Sequence, residues 1–322
     1  MKAIVLSQYG TSNVLQLREV DTPVPDDDEV LVNVRATAVN DWDWCLMRGA
    51  PFYIRLLCGL RKPNISILGA EIAGLVEKVG KNVTRLQPGD AVYGDISECG
   101  FGGFAEYVCV PATALALKPD SMTFAEAAAL PHAGMLALQG LREAQLQPEQ
   151  TVLINGAGGG VGTLGVQIAN DMGSTDVTGV DHSNKLAMMR SSGFVYTIDY
   201  TQADFTQLEQ RYDVILDAKT NRSVFEYLKA LNPGGAYVTV GGATGRLLQT
   251  LLMGPIIHRL FGKRVRLVSL KPNQDLDYIN RLFEAHQLEP VIDGPYPLSQ
   301  VPELIQYFGE GQHKGKVVIS VT

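Results

Sequence analysis

The chain has 322 residues, 46% of them hydrophobic and 19% charged, with a formal net charge of −7 at pH 7. That length predicts about two domains with ample apolar material for a core, and the negative balance argues against a nucleic-acid partner. No stretch is apolar over the ~20 residues of a membrane span, and the first residues lack the long apolar core of a signal peptide.

Residues 1–123 read as a β-rich domain. Short runs such as residues 30–34 and 105–110 are strand-like, and turn signals at 23–28, 80–82 and 88–90 separate them. Four cysteines, Cys45, Cys58, Cys99 and Cys109, form no C-x-x-C pair. Free thiols in a reducing cytoplasm are the expectation. The sequons at Asn64, Asn82 and Asn221 are then chance matches.

The pattern changes near Thr123. Residues 124–130 are alanine-rich and predict a helix, with Ser121 or Thr123 as cap and Glu126 following. A second helix is expected over 134–142. After Pro148 strands and helices alternate: strands over 151–155, 176–180, 212–217 and 236–240, helices over 161–172 and 185–192. This alternation predicts a parallel sheet with helices on both faces. The tail, with strand-like segments at 290–292 and 316–321 and a helix over 301–308, is assigned back to the first domain. The expected organisation is 1–123 plus 265–322 for the β-rich domain and 124–264 for the α/β domain inserted in it.

Residues 155–162 read Asn-Gly-Ala-Gly-Gly-Gly-Val-Gly, between the strand at 151–155 and the helix from Val161. Dinucleotide phosphates need backbone N–H groups and a helix N-terminus at close range, which side chains would block. A strand before and a helix after are the context that makes a glycine motif credible. Gly159, Gly160 and Val161 are assigned to the pyrophosphate. Asp181 ends the next strand, where an acid holds a ribose 2′-hydroxyl and favours NAD. Ser183, Lys185 and Tyr200 follow, and these suit a 2′-phosphate; Lys185 as an exposed helix residue and Tyr200 as packing are the plainer readings. Gly241 and Gly242, after the strand at 236–240, are assigned to the nicotinamide half.

Taken in order, residues 38–43 (Ala-Val-Asn-Asp-Trp-Asp), 68–80, 88–94, 103–107, the glycine turn and 311–318 resemble the medium-chain dehydrogenase/reductase superfamily, in its zinc-free quinone-oxidoreductase (zeta-crystallin-like) branch. The resemblance covers nearly the whole chain. It implies a Rossmann doubly wound parallel sheet inserted in a GroES-like β-rich domain, a homodimer, and NADP(H) slightly ahead of NAD(H). Zinc-bearing relatives use a cysteine, a histidine and a further cysteine or acid. Here Asn40-Asp41 offers no cysteine, Ala70 replaces the histidine, and His132 near the third position stands alone. No bound zinc is expected.

Without zinc, nothing polarises an alcohol, so the expected reaction is hydride transfer from NAD(P)H to a small electrophile, a quinone or α,β-unsaturated carbonyl. Asn40 matches the family's cleft asparagine and is the donor candidate for the developing oxyanion; its competing reading is a turn-stabilising residue. Tyr53 is the second candidate, as donor or proton source, against lid packing. Cys45 stands where relatives often carry a tyrosine. His132 lines the cleft or sits satisfied in a core. Lys316 reaches the cofactor or is exposed on an edge strand. The apolar segment 246–266 is assigned to core or interface packing, with a lid or a membrane contact as alternatives. Two other functions stay open: a zinc-free alcohol or carbonyl dehydrogenase, and a cofactor-binding structural or regulatory protein without turnover.

Overall fold

The computed structural model describes residues 1–321 and divides them into two compact units, residues 1–132 with 272–284 and 292–321, and residues 133–271 with 285–291. Thr322, the end of the expected first domain, lies outside the described residues.

The first unit opens with an antiparallel pair, β1 (Lys2–Leu6) and β2 (Leu15–Glu19). β3 (Glu29–Ala38) follows, with α1 (Asp41–Arg48), α2 (Phe52–Cys58), β4 (Glu71–Val79), β5 (Ala91–Asp95), β6 (Tyr107–Pro111), β7 (Ala116–Leu117) and α3 (Phe124–Ala129). Thr123 caps α3: its hydroxyl accepts the Glu126 N–H at 3.2 Å, and the Glu126 carboxylate accepts the Thr123 N–H at 2.8 Å.

The chain then passes through α4 (Pro131–Glu143) into the second unit. β8 (Thr151–Asn155), α5 (Gly160–Asp171), β9 (Asp176–Asp181), α6 (Leu186–Ser191), β10 (Tyr196–Asp199), β11 (Tyr212–Asp217), α7 (Val224–Lys229), β12 (Leu231–Thr239), α8 (Thr244–Phe261) and β13 (Arg264–Leu267) come in order. All six strands pair in parallel, in the order β10-β9-β8-β11-β12-β13. Strand order reverses between β8 and β11, the arrangement of a doubly wound dinucleotide fold. β8, β9 and β11 are almost wholly buried, as strands covered on both faces must be.

α9 (Leu276–Glu284), β14 (Ile292–Pro297), α10 (Val301–Gly309) and β15 (Lys316–Ser320) return to the first unit. Its large sheet runs β14-β15-β3-β4-β5-β7, with β6 also on β3. The expected boundary at 264/265 differs from the observed one at 271/272 because β13 pairs with β12. β10, β13, α1, α2 and α9 carry no expected counterpart.

Candidate functional site

The β8–α5 turn is built as its sequence implies. Gly159 precedes the helix in extended backbone, and α5 starts at Gly160. A Cβ on Gly162 would lie 2.4 Å from Ala157, so only glycine lets the first turn of α5 fold against the incoming chain. Thr163 is the first residue of the helix to donate back, to the Gly159 carbonyl at 3.0 Å. The N–H groups of Gly160, Val161 and Gly162 find no acceptor among the described residues. Gly159, Gly160 and Val161 are half-buried, in a turn whose other residues are buried. Orphan N–H groups at the positive end of a helix, with no side chain in front, fit an anionic pyrophosphate.

Asp181 and Lys185, set against each other by sequence, are partners. The Asp181 carboxylate accepts the N–H of Gly158 at 2.8 Å and of His182 at 2.8 Å. Lys185 Nζ lies 3.5 Å from it, and the lysine is buried, not an exposed helix residue. The carboxylate thus braces the glycine turn. Tyr200 is 52% exposed, so it is no packing residue; its ring meets His182 edge-on at 5.9 Å. Ser183 Oγ lies 3.4 Å from His182 Nδ1. Ser183, Tyr200 and His182, the last not foreseen from sequence, form the open polar rim beside β9. After β12, Gly242 has φ of +135°, and a Cβ there would meet the Lys219 carbonyl at 2.4 Å. The Gly241 carbonyl accepts from the Thr220 hydroxyl at 2.6 Å. Both glycines keep the chain end above β12 bare.

In the first unit, antiparallel pairing carries the end of β3 to the starts of β4 and β15. Asn40, Glu71 and Lys316 therefore converge although 276 positions separate the outer two. Lys316 Nζ lies 2.6 Å from Glu71 Oε1 and also donates to Asn40 Oδ1. Asn40 Nδ2 donates to Glu71 Oε1 at 2.8 Å and to the Ala38 carbonyl at 3.3 Å. Both amide hydrogens of Asn40 are committed, so in this arrangement it positions Glu71 and has none left for an oxyanion. Lys316 is buried on a strand flanked by β14 and β3, which removes the edge-strand reading.

Glu71 faces Asp95 directly across the β4–β5 pair. Like charges in that register repel, and two groups offset this: Lys316 on one side and His132 on the other. His132 donates its backbone N–H to Glu71 Oε2 at 3.0 Å, and its Nδ1 meets Asp95 Oδ2 at 2.6 Å. Burial pushes the Asp95 carboxyl up, but the hydrogen bond and charge of His132, with Ser97, outweigh it and hold Asp95 below the ordinary range. The proton of that contact therefore sits on Nδ1. His132 Nε2 has no partner among the described residues and is not sealed from solvent. A histidine oriented by a buried carboxylate, with one ring nitrogen open, can give or take a proton. From sequence His132 stood without partners, or satisfied in a core; the structure buries it and pairs it with Asp95, 37 positions away, which sequence reasoning missed.

Asp43 lies beneath this cluster, fully buried, accepting the N–H of Asn40 and of Gly69 at 2.8 Å each. Burial drives its carboxyl up to about 7. The spacing Asn40-x-x-Asp43 at a helix start was the legible signal for this bond. Tyr53 on α2 is 38% exposed; burial, then Cys45 and Asp41, raise its hydroxyl above the ordinary value, so it stays a donor. Cys45 is pushed to about 12 by burial and Asp41, and remains a thiol. Ala70 is fully buried. Among the described residues no group of three or more His, Cys, Asp or Glu could hold a metal ion.

Residues 26–120 match the alcohol dehydrogenase GroES-like domain, and residues 192–319 match the zinc-binding dehydrogenase family. The chain is 33% identical to the 2-methylene-furan-3-one reductase of Solanum lycopersicum over 330 residues, 99% of this chain and 79% of that protein. It is also 33% identical to the chloroplastic NADPH-dependent alkenal/one oxidoreductase of Arabidopsis thaliana, with 99% and 79% covered. The chain belongs to the medium-chain dehydrogenase/reductase superfamily, in its quinone-oxidoreductase branch. The solved quinone oxidoreductase from Coxiella burnetii superposes with a TM-score of 0.87 at 27% identity, covering 100% of this chain and 99% of that one. In this superfamily setting the six-stranded unit is the Rossmann domain and the other is the GroES-like domain.

Proposed function

We propose that this superfamily member is an NAD(P)H-dependent reductase of quinones and α,β-unsaturated carbonyls that works without zinc. The observation that carries it is the β8–α5 turn, with three unaccepted N–H groups at a helix start on a doubly wound sheet. Relatives named alkenal/one oxidoreductase and quinone oxidoreductase support the acceptor class. A bound nicotinamide cofactor would supply the hydride. Gly159, Gly160 and Val161 hold the pyrophosphate, and Gly241 and Gly242 leave room for the nicotinamide half. Ser183, Tyr200 and His182 meet the adenosine ribose, and because Asp181 is occupied by Gly158 and Lys185 it does not repel a 2′-phosphate. NADPH is therefore the preferred form.

Hydride arrival at an electrophilic carbon leaves charge on the acceptor's oxygen, which needs a donor. Tyr53, protonated and half-exposed, is the group with a proton to offer. Lys316, Glu71 and Asn40 hold one another rigid beside His132. NADPH consumption with a panel of quinones and enones tests the reading. Tight NADPH binding with no turnover of any acceptor would sink it in favour of a cofactor-binding protein, and one zinc per chain after chelator treatment would sink zinc independence.

Two further features belong to this proposal. The chain is a homodimer: β13 ends the parallel sheet with an unpaired edge that a second copy can use, and light scattering reads this directly. It resides in the cytoplasm, since all four cysteines are free; cell fractionation tests this.

A further inference from the structure

The reduction as described leaves His132 without a part, although the first unit fixes both its backbone and its ring. The backbone N–H goes to Glu71 Oε2 at 3.0 Å and Nδ1 to Asp95 Oδ2 at 2.6 Å. Asp95 is held as firmly. Its other carboxylate oxygen takes the Ser97 N–H at 2.8 Å. The Asn273 side chain pairs with its backbone, accepting the N–H at 2.7 Å and donating to the carbonyl at 2.8 Å. All of these residues lie in the first unit. His132 is only 6% exposed, yet its Nε2 has no partner among the described residues. The two bonds already made account for a structural role, and the second ring nitrogen is left over. A buried polar atom left unpaired costs free energy unless something outside the chain pairs with it.

Charge and chemistry say what that nitrogen meets. Glu71 is matched by Lys316 Nζ at 2.6 Å, so the Asp95 carboxylate is left for the ring and stabilises a positive charge there. With the Nδ1 proton fixed on Asp95, Nε2 presents a lone pair, or an N–H once it has taken a proton from water. In the proposed reduction, hydride adds to the β-carbon of an enone, and the π electrons of its C=C bond move onto the α-carbon and the oxygen as an enolate. Tyr53 serves the oxygen. The α-carbon still needs a proton of its own.

We propose that His132 Nε2 is the acid and base for the carbon α to the carbonyl, with Asp95 as its positioning residue. This rests on the enone reading of the site. In reduction, the enolate's carbon pair forms the new C–H bond as the Nε2–H bond breaks; the pair of that bond returns to the ring, and water restores the proton. In reverse, Nε2 removes an α-proton from a saturated ketone, the C–H pair becomes the enolate, and a solvent proton is returned. The protein therefore exchanges the α-protons of ketones with solvent, an activity that transfers no hydride.

The test incubates the full-length chain, with and without NADP+, with cyclohexanone, 2-butanone or 3-octanone in deuterated water and reads loss of the α-proton signal by NMR. Exchange is expected at least about a hundredfold faster than in buffer. His132→Gln, whose amide can still donate to Asp95, and His132→Ala should each lose that excess. Added imidazole should restore part of it to His132→Ala, which a purely structural defect would not allow. Asp95→Asn should lower the exchange kcat by at least about tenfold with the ketone's KM unchanged. Wild-type exchange at the buffer rate for all of these ketones, or full exchange in His132→Gln, overturns the inference. NADPH consumption with enones is read separately. Consumption without exchange strikes the role of His132 alone; exchange without consumption strikes the reductase and leaves His132 standing.

Discussion

Glu71 shows most directly how single residues set the site. It is fully buried on β4, and its carboxylate receives Asn40 Nδ2, Lys316 Nζ and the His132 N–H. Removing one partner from such a group leaves a buried charge uncompensated. Lys316→Met should cost about 3–5 kcal/mol in urea unfolding. The double variant Lys316→Met/Glu71→Gln should recover a large part of that loss, because no charge is then left unpaired. Additive losses would show that the two residues act separately. Sequence singled out Asn40 and Lys316 through the resemblance, but assigned them to substrate and cofactor. Their shared partner was invisible because strand pairing, not local pattern, brings Glu71 between them.

At the scale of elements, the glycine turn was legible because strand, turn and helix are contiguous and each glycine answers a local steric demand. Gly162→Ala puts a Cβ 2.4 Å from Ala157, within backbone that cannot step aside. It should destabilise by about 1–3 kcal/mol and weaken NADPH binding, read by thermal unfolding and fluorescence titration. Unchanged affinity would mean that the turn does not hold the cofactor. Two strands of the parallel sheet escaped notice for physical reasons. β10 is a four-residue edge strand, and β13 reads Arg-Val-Arg-Leu, with no apolar run to signal it. α8 was seen as apolar, but period alone cannot say which side of an all-apolar helix faces inward.

Across the whole molecule, buried carboxylates shape stability against pH. Asp43 titrates at about 7 when folded, against an ordinary 3.8, because burial disfavours its charge. Folding therefore holds a proton, and stability falls as pH rises from 3.8 towards about 7. Asp95 has the opposite sign: held low by His132, it adds stability above the ordinary carboxylate value, lost as pH falls through its folded one. Urea midpoints across acid to neutral pH should show both slopes. Asp43→Asn should flatten only the upper one; an undiminished fall in that variant would remove Asp43 as its cause.

The sequence by itself determined the α/β alternation, the dinucleotide turn and the family, since these rest on periodicity and on motifs in contiguous residues. Only the tertiary structure decided that Asp181 and Lys185 neutralise each other, that Asn40 and Lys316 serve Glu71, that Asp95 orients His132, and that α8 presents leucines outward. Asp181 and Lys185 are four residues apart but meet because packing turns Lys185 inward; the others depend on groups far apart in the chain, or on which side of an element is covered, and packing alone fixes that.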